Sequence, residues 1–247
     1  QAGLVLTAEY SDLWKEDKKT ETNEVMFALQ HSAKHKIASN YGKSYYPSDY
    51  SPNAGWADYY GNENFFKAYP NDDRKEWNYM TEWKIKSGEI IPYTESADKL
   101  PAISKYYDYD EGAPGKSAQS NGITCIYRYA EVLLMYAEAS TRATNSVNQD
   151  ALNAIQEVQK RAGYQDRQIE LTTTTEPTAF LAAVSNERGW EFFAEMKRWF
   201  ELVRLEKVKE VRAEEWDAST FNTNHHYYFP VPYQQVDLAG WTNNAGY

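Results

Sequence analysis

A chain of 247 residues with a net charge of −10 is long enough for one or two domains with a sizeable core, and it lacks the clustered Lys and Arg that a nucleic-acid surface needs. Its one cysteine, Cys125, excludes an internal disulfide, and no apolar run approaches the roughly 18 residues of a membrane helix. Aromatic residues make up 15% of a chain whose mean hydropathy is −0.78, with 21 Tyr and 8 Trp, so amphipathic rings must fill an irregular core or form a wet, adhesive surface.

The first elements are short. A helix is predicted near residues 10–14, and the apolar run Glu24-Val25-Met26-Phe27-Ala28-Leu29-Gln30 suits a strand or a buried segment. Residues 40–71 follow no helix or strand period: Gly, Ser, Pro, Asn and Asp alternate with Tyr41, Tyr45, Tyr46, Tyr50, Trp56, Tyr59, Tyr60, Phe65, Phe66 and Tyr69. Long loops inside a compact domain tend to be functional or disordered, and the aromatic load argues against disorder. Asp72-Asp73-Arg74 starts a helical segment, residues 77–91 hold a strand or two, and residues 92–122 return to loop, with Gly112, Pro114, Gly115 and Gly122.

Helices are predicted to dominate from about 123 to 212. Ile126, Ala130, Leu133, Leu134 and Ala137 form a helical stripe, which places a helix over 125–143 with Cys125 at its opening as a small buried hydrophobe. The next helix, 148–162, has Asn148 as N-cap, one face of Ala151, Ile155, Val158 and Ala162, and Gly163 as its stop. The two make an antiparallel hairpin similar in kind to a tetratricopeptide unit, with no second copy in the chain. A third stretch, 180–205, carries Glu187, Glu191 and Glu195 at i, i+4, i+8, with Arg188 and Arg198 placed to pair with carboxylates. The tail from Trp216 reads as extended loop.

In this order the segments resemble the C-terminal half of the SusD/RagB family. The matching residues are Arg128 to Ala139, which include Glu131 and Glu138, then Leu152-Asn153, Arg161-Ala162-Gly163, Glu187-Arg188, Glu191, Glu195, Arg198, Pro230-Val231-Pro232 and Asn244-Ala245-Gly246-Tyr247. Asp73-Arg74 and Lys105-Tyr106-Tyr107-Asp108 are similar to two weaker signatures. Met196, Gln159 and Thr242 stand where the family prefers Gly, Arg and Gln, and Met196 suggests a turn that stays helical or packs differently. The resemblance implies a mainly α, loop-rich, superhelical fold: a tetratricopeptide-like hairpin and an irregular subdomain with a few short strands. Residues 1–122 would form a loop-rich ligand-binding region and residues 123–247 a helical region. The start Gln1-Ala2-Gly3-Leu4 does not read like a natural one, with no signal peptide or lipobox in its sequence, whereas Gly246-Tyr247 reads as a C-terminus. A signal segment, a lipid-anchored cysteine and a helical-repeat half are expected to precede it. The family implies a surface protein of the outer membrane that captures glycan or another nutrient and hands it to a SusC-like TonB-dependent transporter, with no cofactor and no catalysis.

The aromatic loop is the preferred ligand site. A sugar ring has an apolar C–H face, on which flat rings stack, and an edge of hydroxyls for nearby polar groups. The candidates are Tyr45, Tyr46, Tyr50, Trp56, Tyr59 and Tyr60, with Asn53 and Asp58 as polar partners; packing within the core is the competing role for each. The family's archetype binds starch through an arc of aromatics, though no motif carries those residues over one by one. Glu187, Glu191 and Glu195 offer a second reading, acid–base work as in a glycoside hydrolase, to which Asp72 and Asp73 also lend themselves. Carboxylates one turn apart flanked by Arg188, Arg198 and Arg204 look more like a structural ion-pair network. A third reading is a protein-interaction scaffold. His31 with His35 is an i, i+4 pair without a third metal ligand, and the side chains of His225 and His226 diverge on an extended segment. No phosphate loop, dinucleotide fingerprint or nucleophile elbow is present.

Overall fold

The helical stripe that opens at Ile126 begins one element too early. In a computed structural model that describes residues 3–106, 121–211 and 227–247, strand β6 (Ile123–Arg128) pairs antiparallel with β1 (Val25–Gln30), aligning Ala28 with Cys125 and Leu29 with Thr124. The β-branched run Ile123-Thr124 and the alternation of buried Ile123, Cys125 and Arg128 with less buried neighbours favour the strand. Cys125 therefore lies on a strand, and burial pushes its thiol up to about 12, which leaves it inert. Two further pairs are short: β2 (Tyr79–Met80) with β5 (Ala102–Ile103), and β3 (Glu82–Lys84) with β4 (Ile90–Pro92).

The loop expected over 40–71 contains two short helices, α1 (Tyr41–Tyr45) and α2 (Glu63–Ala68), the second capped by the Asn62 carboxamide, which accepts from the Phe65 N–H. Dense aromatics hide the 3.6-residue period there, because nearly every position carries a ring. Helix α3 (Asp73–Asn78) starts as expected, with the Asp72 carboxylate accepting from the Lys75 N–H.

Helix α4 (Tyr129–Thr144) and helix α5 (Gln149–Arg161) form the hairpin. Asn145 turns the chain in a left-handed conformation, and the Asn148 side chain caps α5 by accepting from the Ala151 N–H at 2.7 Å. Gly163, at φ +81, stops α5, and a side chain there would also collide with Asp73. Leu134, Ala137, Ala151, Ile155 and Val158 are all fully buried between these helices and α6 (Pro177–Glu191), together with Phe180 and Val184. Full burial of each Leu, Ile or Val side chain contributes about 1.5–3 kcal/mol. A second core is aromatic: Tyr10, Leu13, Trp14, Tyr45, Ile103, Tyr106 and Cys125. Tyr10 and Leu13 belong to the short helical turn expected near residues 10–14.

The third helical stretch is not continuous. Helix α6 ends at Glu191, and Ala194 and Met196 take left-handed backbone angles of +58° and +60°. Met196 adopts the backbone that a glycine takes easily, and the turn does not stay helical. The Met196→Gly substitution should accordingly raise stability by about 0.5–1 kcal/mol, measured as a shift of the urea midpoint; a loss would show that the methionine side chain outweighs the backbone strain.

The described chain divides into two compact units, Gln1–Glu195 and Met196–Tyr247, so the first unit runs through the division expected at residue 122, with β1 and β6 paired across it. The second unit contains α7 (Arg198–Arg204), α8 (Val208–Val211) and α9 (Tyr233–Ala239). Within it Asn243 accepts from the Val231 N–H at 2.8 Å and Asn244 donates to the Phe229 carbonyl at 2.6 Å, fastening the Pro230-Val231-Pro232 turn to the last residues. Tyr107, Asp108, Gly112, Pro114, Gly115, Trp216, His225 and His226 lie outside the described residues.

Candidate functional site

Two groupings in the first unit bring motif residues together, one buried and one exposed. The buried one is an ion-pair cluster in which Glu24, Asp72, Glu187, Glu191 and Glu195 face Arg74, Lys105, Arg128 and Arg161, all with side chains 4% exposed or less. Arg128 forks onto Glu195 at 2.9 and 3.1 Å, reaches Glu24 at 2.8 Å, and donates to both the side chain and the carbonyl of Glu191. Arg74 spans Asp72, Glu187 and Glu191 at 2.6–2.7 Å. Arg161 bridges Glu24 and Glu191. The expected flanking arginines serve elsewhere: Arg188 reaches Glu131 at 3.4 Å, and Arg198 pairs with Glu201 in the second unit. Glu138 accepts from Arg142 one turn along α4. The network partners come instead from distant motifs, from α3, α5, β6 and residue 105.

The cluster holds one more carboxylate than it holds cations, and its electrostatics are uneven accordingly. Burial opposes ionisation of Glu191, yet Arg161, Arg128 and Arg74 outweigh it and hold its carboxyl well below the usual range. Glu195 is lowered in the same way, against burial, by Arg128 and Lys105. Burial prevails at Asp72 and Glu187, which are raised despite Arg74. Carboxylates consumed by arginines and closed to solvent cannot protonate a glycosidic oxygen, which needs an acid within reach of the sugar. Asp73 is partly exposed, but it pairs with Arg167.

Burial depresses the Lys105 ammonium to about 8, against the pull of Glu195. Because the folded value lies below the unfolded value of about 10.4, the buried charge costs stability below pH 8, and the cost is relieved as pH rises from about 8 towards 10. Between pH 7 and 9.5 the protein should therefore gain about 2 kcal/mol relative to Lys105→Met, read from paired urea titrations. An equal pH response in both proteins would contradict the assignment.

The exposed grouping is the loop between α1 and α2. Its backbone folds back on α1: the N–H groups of Gly55, Trp56, Ala57 and Asp58 donate to the carbonyls of Pro47, Lys43, Tyr46 and Ser44 at 2.7–3.0 Å. Gly55 permits the approach, since a Cβ there would lie 1.9 Å from the Tyr46 carbonyl oxygen. This anchoring presents Trp56 at 50% and Tyr59 at 61% exposure, with Asp58 beside them and the Lys43 ammonium 5.2 Å from the centre of the Trp56 ring.

The remaining sequence candidates are placed differently. Tyr46 is fully buried and Tyr45 nearly so, and neither offers a ring face to solvent. Tyr46 meets Tyr50 edge-on at 4.9 Å, and Tyr45 lies 5.7 Å beneath Tyr59. Tyr50 and Asn53 are half-buried, and the half-buried Tyr60 donates its hydroxyl to Asp98 at 2.5 Å. The packing role thus takes Tyr45 and Tyr46, while Trp56, Tyr59 and Asp58 remain available. Lys43 beside the Trp56 ring and Glu24 in the buried cluster were not among the sequence candidates. The only signal for Glu24 was a carboxylate heading an apolar run. His31 precedes a turn over residues 33–36 that contains His35, so the two do not share a helix face, and both ring nitrogens of His31 are engaged, by the Ile37 carbonyl and the Thr124 hydroxyl. Among the described residues no group of three His, Cys, Asp or Glu could hold a metal, and no helix is long and apolar enough to cross a membrane.

A helical hairpin locked to its surroundings by a buried arginine–glutamate cluster, with an ordered loop presenting exposed aromatic rings, defines a mainly helical, loop-rich scaffold. The chain belongs to the SusD family, whose model matches residues 14–247. It is similar to SusD-like protein P2 of Formosa agariphila, 26% identical across 99% of this chain and 52% of that protein. Its fold matches a SusD superfamily protein from Parabacteroides distasonis, with a TM-score of 0.79 at 22% identity over 99% of this chain and 54% of that one. It also matches surface glycan-binding protein A from Bacteroides thetaiotaomicron in complex with laminarihexaose, with a TM-score of 0.74 at 22% identity over 99% and 56% of the two chains. The chain spans about half the length of these relatives.

Proposed function

We propose that this chain is part of a glycan-capturing protein of the outer-membrane surface, which binds oligo- or polysaccharide by stacking sugar rings on Trp56 and Tyr59 and passes it to a TonB-dependent transporter. The observation that carries the reading is the pair of exposed rings on a loop that the carbonyls of four residues of α1 and its flank, Lys43, Ser44, Tyr46 and Pro47, hold in place. Membership of the SusD family and the laminarihexaose complex of the Bacteroides thetaiotaomicron neighbour support it. The ring faces would take the C–H face of the sugar, and Asp58 and Lys43 its hydroxyls. Capture needs no acid–base group, in keeping with the burial of Glu187, Glu191 and Glu195. Weak individual contacts would suffice, because a lipid-anchored protein beside its transporter works at high effective concentration.

Affinity electrophoresis through gels cast with laminarin, starch and other polysaccharides tests this reading. Retardation by at least one glycan, with none of that glycan hydrolysed, is the expected result. Free migration through every gel would overturn glycan capture, and release of reducing ends would restore the hydrolase reading.

A further inference from the structure

The signature residues Lys105 and Tyr106 link the two groupings: Lys105 belongs to the buried cluster, and Tyr106 stacks on Tyr45, which contacts Tyr59 of the exposed loop. The Lys105 ammonium donates to Glu195 at 2.7 Å and to the Phe193 carbonyl at 2.6 Å, and it sits 4.2 Å from the centre of the Trp14 ring. Tyr106 donates its hydroxyl to the Ala194 carbonyl at 3.0 Å. The left-handed turn after α6 is thus bonded at Phe193, Ala194 and Glu195 by two consecutive side chains. On the other side, the Tyr106 ring stacks on Tyr45 at 5.8 Å and 11°, and Tyr45 contacts the exposed Tyr59. Tyr106 is itself only 8% exposed, so it reaches a ligand through these rings and not directly.

We propose that Tyr106 is a positioning residue for the ligand surface: it fastens Tyr45, and through it Tyr59 and its loop, to the buried ion-pair cluster. The inference rests on the glycan-capturing reading of that loop. A platform of flat rings gains affinity when it is rigid before the ligand arrives, because less side-chain freedom is lost on binding. The run of ring contacts from Tyr106 through Tyr45 to Tyr59 supplies that rigidity from the turn at Phe193–Glu195, which Lys105 and Arg128 bind into the cluster.

The test has a ligand-free arm and a ligand arm. Hydrogen exchange compares the wild-type chain with Tyr106→Leu and Tyr106→Phe. In Tyr106→Leu the amides of Trp56, Ala57, Asp58 and Tyr59 should exchange about tenfold faster while those of helix α5 are unchanged. In Tyr106→Phe, which keeps the stack and loses the tether to Ala194, the rise in the loop should be about threefold. Acceleration spread evenly over loop and α5 would mark an ordinary structural role and overturn the proposal, as would an unchanged loop. Should Tyr106→Leu not fold, the same criteria apply to Tyr106→Phe. In the ligand arm, the Kd for the retarding glycan should rise about tenfold in Tyr106→Leu and less than twofold when the substitution is made on Tyr59→Ala, since the effect travels through that ring. Additive losses would overturn the coupling. Failure of the wild-type chain to bind any glycan would overturn the capture reading instead, and the exchange arm would still decide whether Tyr106 holds the loop.

Discussion

Arg128→Met is expected to destabilise the protein by about 3–5 kcal/mol, the range for removing one partner from a buried charge group. Arg128 is fully buried and serves Glu24, Glu191 and Glu195 at once. Its loss would leave carboxylates without solvent and with fewer donors, a cost larger than that of the missing bonds themselves. The substitution should also change the acid limb. Glu191 and Glu195 have folded values below their unfolded ones, so each contributes stability that is present above about pH 4.3 and lost as pH falls through the folded value. Asp72 and Glu187, raised by burial, act in the opposite sense, and their stability contribution falls as pH rises past the ordinary carboxylate range. Without Arg128, Glu191 and Glu195 lose their strongest shared cation, and the fall in stability between pH 5 and 3 should become shallower. Urea titrations at pH 7 and across the acid range check both statements; a loss below about 1 kcal/mol at pH 7 would show that the cluster relaxes around the vacancy.

Trp56→Ala together with Tyr59→Ala should weaken binding of the retarding glycan by about 2–3 kcal/mol, on the order of a hundredfold in Kd, with little change in thermal stability. Both rings are at least half exposed, so their truncation removes ligand area and little core packing. Tyr46→Ala makes the opposite comparison. That residue is fully buried, and its truncation should lower stability by about 3 kcal/mol whether or not glycan is present. Calorimetric Kd values and thermal midpoints for the two variants separate ligand contact from support. A glycan affinity lost in neither, or lost only in proportion to unfolding, would remove Trp56 and Tyr59 from the site.

The hairpin and its caps were legible in the sequence because periodicity and capping are local: Asn148, Gly163 and the face Ala151, Ile155, Val158 and Ala162 need no knowledge of the rest of the chain. The opening of α4 was misread because Ile126 falls into the helical stripe by spacing, whereas its strand partner is about a hundred residues upstream in β1. The partners of Glu187, Glu191 and Glu195 were misassigned for the same reason: neighbours in sequence were preferred to Arg74 and Arg128, which arrive from other elements. Within the aromatic loop, composition marked the region but could not sort exposed rings from buried ones. That sorting depends on which carbonyls of α1 accept from the returning backbone, and a glycine at position 55 is the single local clue to it.

In the proposed capture, Trp56 and Tyr59 form the face on which sugar rests. A crystal structure of the protein with the glycan that retards it most strongly tests this directly. At least one sugar ring should be stacked on Trp56 or Tyr59, with its hydroxyls towards Asp58 or Lys43. Sugar bound elsewhere, with both rings bare, would contradict it.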